Sequence, residues 1–351
     1  MLRLLCFALP LLYWPEFVEV SNTPRWIALS LFIPLFFLRA DFKWTTAHSF
    51  GTAWLALAGL SLLWTPSLLD GILIWWHFIL LGLVFCVGSS LDERQIKSCV
   101  LWFAAGMVLN GFLAVAQFQG FEGIKQTVIP AGTFANKNFL AEAALVAFVG
   151  CLVLRRWILA GFLLPALILP FSKGVLVALG VILIFWIWQR SRLGAGLIAV
   201  CLVAGVSFYL ISPDAGRGSL SDRLAFYPNT VAMVLDKPWG QGIGAYWSVY
   251  PLYHDAFVET TDDGYRFDSR PRTAHNDLLT LTSETGILGF LLLSGFVIVT
   301  LWRSKNELQY VVLAFLAQGV FNFPLYLPTA AFLAALCAGY ISCHRSKFCR
   351  L

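Results

Sequence analysis

The stretch LDGILIWWHFILLGLVFCVGSS, residues 69–90, decides the fold. Apart from Asp70 at its start it carries no charge. Coiled as an α-helix it is about 33 Å long, enough to cross a hydrocarbon core of about 30 Å. Runs of the same kind, some on the short side, recur near 2–15, 25–40, 47–64, 96–119, 138–154, 157–171, 174–189, 193–212, 278–302, 307–323 and 325–343. Together they predict an all-α protein, a polytopic transmembrane bundle of about twelve helices forming a single membrane domain over residues 1–351. The composition agrees. The chain is 59% hydrophobic and 12% charged, with a mean hydropathy of +0.77, whereas a soluble domain carries roughly 25% charged residues. The first run carries Arg3 and looks like a signal peptide, but it has no small-x-small cleavage site and reads as an uncleaved first helix. Pro165 and Pro170 allow a broken helix over 157–171.

Basic residues set the expected orientation. With the N-terminus in the cytoplasm, Arg3, Arg39, Lys43, Arg94, Lys97, Arg155, Arg156, Arg190, Arg192, Arg303, Lys305, Arg345, Lys347 and Arg350 lie inside, 14 of the 24. The short outer loops hold only Arg25, Lys125, Lys137 and Lys173. Both termini are then cytoplasmic, and one long loop, 213–274 between helices nine and ten, is extracytoplasmic. The net charge of +5 is read loop by loop, so no nucleic-acid partner is expected. Within 213–274, Leu224, Tyr227, Val231 and Leu235 recur at helical spacing and predict a short amphipathic helix on or near the membrane surface. Pro228 falls inside that pattern and marks either its start or a kink. Pro238-Trp-Gly-Gln-Gly-Ile-Gly244 is a glycine-rich turn. No strand precedes it, so close approach of chain to chain explains it better than nucleotide binding.

The eight cysteines fall in or beside apolar runs or in the basic tail, and no C-x-x-C pair occurs, so neither a disulfide framework nor a zinc site is expected. Asp262-Asp263 has no third ligand near it and reads as a solvated turn. Neither metal nor cofactor is expected.

Four pieces of the sequence, in order, resemble the O-antigen ligase and polymerase superfamily. Arg270-Pro-Arg-Thr-Ala-His-Asn-Asp-Leu-Leu279, running into Thr-Ser-Glu-Thr-Gly-Ile-Leu-Gly289, looks like its His-Asn pair before a helix bearing Glu-x-Gly-x-x-Gly. Gly132-Thr-Phe-Ala-Asn-Lys-Asn138 is similar to its G-T-F-x-N-x-N entry to a helix. Asp222-Arg223 followed by Pro238–Gly244 resembles its Arg, short helix, then P-x-x-G-x-G. Phe323-Pro-Leu-Tyr-Leu-Pro328 resembles its last outer turn. The resemblance covers residues 130–330. One departure is Ser172-Lys173-Gly174, where many relatives have Ser-Arg-Gly. Lysine keeps the charge but loses the two-pronged fork that suits a phosphate.

The resemblance implies a GT-C-like membrane glycosyltransferase of the bacterial inner membrane, active on the periplasmic face in lipopolysaccharide or polysaccharide biosynthesis. Such enzymes move a glycan from a polyprenyl (undecaprenyl) diphosphate donor to an acceptor hydroxyl, here that of a lipid A-core sugar. A repeat-unit polymerase or a protein O-oligosaccharyltransferase would use the same donor with another acceptor. Arg223, Arg270, Arg272 and Lys173 are candidates for holding the diphosphate, whose developing charge needs positioned cations; the alternative is solvated loop charges. His275 is the candidate general base. It lies near a helix N-terminus, where the dipole favours neutral imidazole; the alternative is a hydrogen bond to a loop carbonyl. Asn136, Lys137 and Asn138 are candidates for substrate binding at a helix entry, with capping by one Asn as the alternative, and Asn276 of the His-Asn pair is a further candidate for substrate binding. Glu284, about nine residues into its helix, is a functional candidate by depth or a structural pair to a neighbouring helix. A secondary transporter or lipid flippase is the competing class, but neither an internal repeat nor a basic loop between helices six and seven is found beyond Arg155-Arg156.

Overall fold

A computed structural model describes residues 1–124, 128–188, 220–253, 271–302 and 304–344, with the backbone alone for 220–225. The expected helix over 193–212 lies outside these residues, and every other apolar run is helical. In chain order the α-helices are α1 (Leu2–Ala8), α2 (Asn22–Phe37), α3 (Thr46–Leu60), α4 (Leu68–Ser90), α5 (Glu93–Phe118), α6 (Lys137–Val153) and α7 (Trp157–Ile168). They continue with α8 (Lys173–Trp188), α9 (Leu220–Asp236), the single turn α10 (Tyr246–Val249), α11 (Asp277–Leu301), α12 (Gln309–Gly319) and α13 (Pro328–Cys343). No strand occurs among the described residues, only an isolated bridge between Val128 and Asn136.

Three of these helices, α4, α5 and α11, are both long and apolar enough to cross a membrane by themselves; the others are shorter. The structure is therefore an all-helical membrane bundle, while the count of about twelve complete spans stays an expectation from hydropathy. Large apolar side chains such as Leu31, Leu69, Ile158, Leu288 and Ile298 are exposed around its outside, as expected where the surrounding medium is hydrocarbon and not water. Pro165 sits inside α7 without ending it, and the helix stops at Ile168, just before Pro170.

Local sequence explains the ends of several helices. Asp92 caps α5: its Oδ1 accepts from Gln95 N–H at 2.7 Å, while Gln95 Oε1 accepts from Asp92 N–H at 3.0 Å. In the middle of the bundle α13 is buried over almost its whole length, and α6 nearly so. The α4–α13 crossing is close because Gly88 and Gly339 face it. A methyl group on Gly88 would overlap the Leu336 carbonyl, and one on Gly339 the Phe85 carbonyl. Ser89 Oγ donates to Gly339 O at 3.1 Å across the same contact. Small residues at such a crossing let dispersion contacts hold helices together where lipid removes the hydrophobic drive.

A helix does cover the predicted stripe: α9 occupies Leu220–Asp236 among the described residues, with Pro228 inside it. The face that the protein covers is a second one, beside that stripe. Phe226, Thr230 and Met233 are buried against Tyr246, Tyr250 and Ala274. Val231 and Leu235 are exposed, and Tyr227 reaches out to donate to Val320 O at 3.1 Å. The two apolar faces compete, and the one that meets a neighbouring element is the one covered.

Candidate active site

The architecture of the site begins with a break in α11. Gly286 has φ 75° and ψ −175°, and the helix continues on either side of it. The segment Pro238–Gly244 fills the gap. Gln241 N–H donates to Ser283 O at 2.8 Å, Gly242 N–H to Glu284 O at 2.9 Å, and Ile287 N–H to Pro238 O at 2.9 Å. Backbone groups freed by the break are thus satisfied inside the protein, a requirement in a membrane. On its other side the loop is wedged against the α3–α4 corner: Trp64 Nε1 donates to Gly240 O at 3.1 Å and Thr65 Oγ1 to Ile243 O at 3.0 Å. A side chain on Gly240 would overlap the Glu284 carbonyl. Close chain approach is therefore the reason for these glycines, as their sequence suggested.

Glu284 belongs to this joint. It is 1% exposed, its Oε1 accepts from Tyr246 N–H at 3.2 Å, and its Oε2 accepts from Tyr326 Oη at 3.5 Å. It lies about 10 Å of helical rise beyond Asp277, the first residue of α11, and these contacts answer to its structural alternative. Tyr246 and Tyr250 sit in the loop segment that Glu284 anchors, outside the apolar helices. Burial pushes both hydroxyls up from their ordinary range, against the hydrogen bonds that Tyr246 shares with Thr230 and Tyr250 receives from Asn229.

His275 stands at the head of α11, half-buried, with φ 51°. A left-handed backbone is uncommon outside glycine, and its surroundings enforce it. Asn276 caps the helix, accepting from Leu279 N–H at 3.0 Å and donating Nδ2 to Val320 O at 3.1 Å. Ala274 N–H donates to Thr280 Oγ1 at 3.0 Å. The imidazole stacks on Phe226, 5.9 Å between centroids at 13°, and meets the edge of Phe323 at 5.2 Å and 66°. His275 Nδ1 lies 3.4 Å from Asn322 Oδ1. Asn322 donates Nδ2 to Oε1 of Glu142, a fully buried carboxylate on α6. Next to His275, buried Asp277 accepts from Leu325 N–H at 3.1 Å and fastens the 322–326 turn to α11.

The first turn of α6 joins the same end of the bundle through Phe139, whose ring meets Phe323 at 5.7 Å. Asn136 caps α6 by accepting from Asn138 N–H at 2.9 Å, its capping alternative. Lys137 and Asn138 are half-buried at the first turn. Behind them lies a polar scaffold that sequence inspection misses. Gln117 Oε1 accepts from Ala131 and Gly132 N–H at 2.9 and 2.8 Å, and Asn110 Oδ1 accepts from Thr133 N–H at 2.8 Å. Arg25 is not an outer-loop cation, as the charge count assumed. It is fully buried in α2, donates to Leu9 O, Pro10 O and Thr133 Oγ1 at 3.1, 2.9 and 3.0 Å, and lies over the Phe134 ring at 3.8 Å.

The four candidate cations are not gathered by the described contacts. Arg272 is exposed and ion-paired with Glu19 at 2.6 Å. Lys173 is exposed at the first residue of α8. Arg223 is on α9, one turn before the Phe226 that stacks on His275, and only its backbone is described. Arg270, like Asp262 and Asp263, lies outside the described residues. Among the described residues no group of three or more His, Cys, Asp or Glu side chains is placed to hold a metal ion. Phe226, Asn322 and Glu142 escaped the sequence reading, and Asp277 was quoted in a motif without a role. The first two sit beside quoted motifs, and only the packing of α6 brings Glu142 to them.

A bundle of apolar helices with a buried polar end, a broken helix sealed by a glycine loop, and a histidine held at a helix head is a polytopic membrane protein built around one face. A separate comparison bears on its family likeness. Residues 139–294 match the model of the family described as O-Antigen ligase, a little under half of the chain, including Arg223, His275, Asn276 and Glu284. The resemblance drawn from the motifs is thereby shown for this region. No curated protein matches the chain.

Proposed function

We propose that the protein is an O-antigen-ligase-type glycosyltransferase. It transfers a glycan from a polyprenyl diphosphate donor to an acceptor hydroxyl on the extracytoplasmic face of the bacterial inner membrane. The observation that carries this reading is the meeting at His275 of segments far apart in sequence: α9 through Phe226, the α6 entry through Phe139 and Phe323, the 322–326 turn through Asn322, and the head of α11. Each lies in or close to one of the pieces that resemble the family. In the reaction His275 accepts the acceptor's hydroxyl proton as that oxygen bonds to the anomeric carbon. The bond from that carbon to the diphosphate breaks, and its electron pair leaves with the polyprenyl diphosphate. Arg223, with Arg270, Arg272 and Lys173, opposes the charge that develops on the leaving group. Arg272 does so only by sharing or leaving Glu19. The acceptor is a glycolipid sugar for a ligase, another repeat unit for a polymerase, or a protein hydroxyl.

The test is donor-dependent turnover in a defined detergent system with saturating acceptor. His275→Ala loses about 10²–10⁴-fold in rate. Arg223→Ala is impaired more than Arg223→Lys, which keeps the charge but not the fork, whereas Lys173→Arg is tolerated. A His275→Ala protein that keeps more than roughly a tenth of wild-type turnover removes the base. Unchanged donor dependence in the alanine variants of Arg223, Arg270 and Arg272 removes the phosphate site.

A further inference from the structure

We infer that Asn322 and Glu142 are positioning residues for His275, a two-member relay that decides which imidazole nitrogen carries the proton. The inference rests on the reading of His275 as the base. Glu142 is fully buried in α6 and Asn322 is 8% exposed in the turn after α12. They are 180 positions apart and directly hydrogen-bonded. An ionisable side chain inside a membrane bundle is costly to keep and calls for a task.

The polarity of the chain follows from donor and acceptor capacity. A carboxylate oxygen only accepts, so the Asn322 amide turns its Nδ2 toward Glu142 and its Oδ1 toward His275. An oxygen facing His275 Nδ1 at 3.4 Å selects the tautomer with the proton on Nδ1. The basic lone pair of the neutral ring is then on Nε2. The Phe226 and Phe323 rings fix the plane of the imidazole, so Asn322 sets the tautomer without having to set the ring orientation. As the proton arrives on Nε2, the Nδ1–H bond persists and strengthens, and the imidazolium is stabilised by Glu142 through the polarised amide. A base oriented by a third group is the general logic of activated catalytic histidines. Here an amide is interposed between base and carboxylate.

Three variants separate this role from simple packing. Asn322→Ala lowers kcat about 10–100-fold, the usual scale for losing an orienting partner, with donor KM within about threefold of wild type. Asn322→Asp alone sets a carboxylate against Glu142 and is impaired to a similar extent. Combining it with Glu142→Gln reverses donor and acceptor between the two positions. It restores an acceptor facing Nδ1, and most of the lost kcat returns. The tautomer is read separately, with no substrate, from ring-¹⁵N histidine spectra in which the His275 signal is the one lost in His275→Ala. Wild type shows the Nδ1–H form and Asn322→Ala a mixture. Wild-type kcat in Asn322→Ala, a double variant no better than Asn322→Asp, or an Nε2–H tautomer in the wild type each overturns the relay. If His275→Ala is inactive while the relay variants behave as wild type, only the relay fails. If His275→Ala is itself active, the functional reading fails, and the spectra still report whether Asn322 sets the tautomer.

Discussion

Replacing Gly286 by alanine tests the joint on which the site is built. At φ 75° and ψ −175° the backbone is in a region that essentially only glycine occupies, which costs another residue about 1–3 kcal/mol. The added methyl would also meet Pro238 O at 2.5 Å and Trp239 Cα at 2.7 Å. Both are backbone atoms that cannot turn aside, and overpacking of this kind costs about 1–3 kcal/mol more. If the loop withdraws, the bonds from Gln241, Gly242 and Ile287 N–H across the break weaken, at about 0.5–1.5 kcal/mol each. The expected loss is therefore about 2–6 kcal/mol, since loop withdrawal relieves the clash as it breaks the bonds. Denaturant titration of the purified protein in detergent measures it, with Gly161→Ala as the control. Gly161 lies in α7 with nothing near its added methyl, so that change is neutral or stabilising by up to about 1 kcal/mol. Equal stability of the two variants would refute the account of the glycine loop as a filler of the broken helix.

Removing the Arg25 guanidinium in Arg25→Met takes a charged donor from the carbonyls of Leu9 and Pro10 and from the Thr133 hydroxyl, and leaves Pro10 O with Asn110 Nδ2 and Thr133 Oγ1 alone. The same titration then shows a loss of about 2–5 kcal/mol. A change under about 0.5 kcal/mol would mean that the scaffold behind the α6 entry does not depend on it. The Arg272–Glu19 pair is exposed, so a double-mutant cycle returns only about 0–1 kcal/mol of coupling. A larger value would argue that Arg272 is structural and unfit to bind a diphosphate. Topology is tested in a cysteine-free background, where an impermeant thiol reagent modifies a cysteine at position 255 and spares one at 304. The reverse pattern would move the site to the cytoplasmic face.

Periodicity and local chemistry were enough for what depends on neighbours along the chain. Residues 69–90 read as a helix because no other backbone can satisfy itself in hydrocarbon, and α4 occupies Leu68–Ser90. Asn136 and Asn276 were legible as helix entries because a cap bonds only two or three residues away. The glycines of Pro238–Gly244 declared a close approach, though not to what.

The partners in that approach, and the surroundings of His275, came only with the tertiary structure. Hydropathy is an average over a window, so it passes over a single buried Glu142, Asn110, Gln117 or Arg25 without changing the prediction of a helix. Whether such a group is a liability or a support depends on what faces it across the bundle. Arg25 reads as a loop charge until Leu9, Pro10 and Thr133 are seen around it. Leu224, Tyr227, Val231 and Leu235 form an apolar stripe in sequence, yet Phe226 and Met233 are the residues covered, because the tertiary neighbours Tyr246 and Tyr250 lie on that side. The sequence alone determined an all-helical membrane chain and the segment that begins its family likeness. That Asn322 faces His275 and Glu142 backs Asn322 was decided by how α6, α11 and the turn after α12 pack, since hydrogen bonds act over about 3 Å and no local pattern records partners 47 and 180 residues apart.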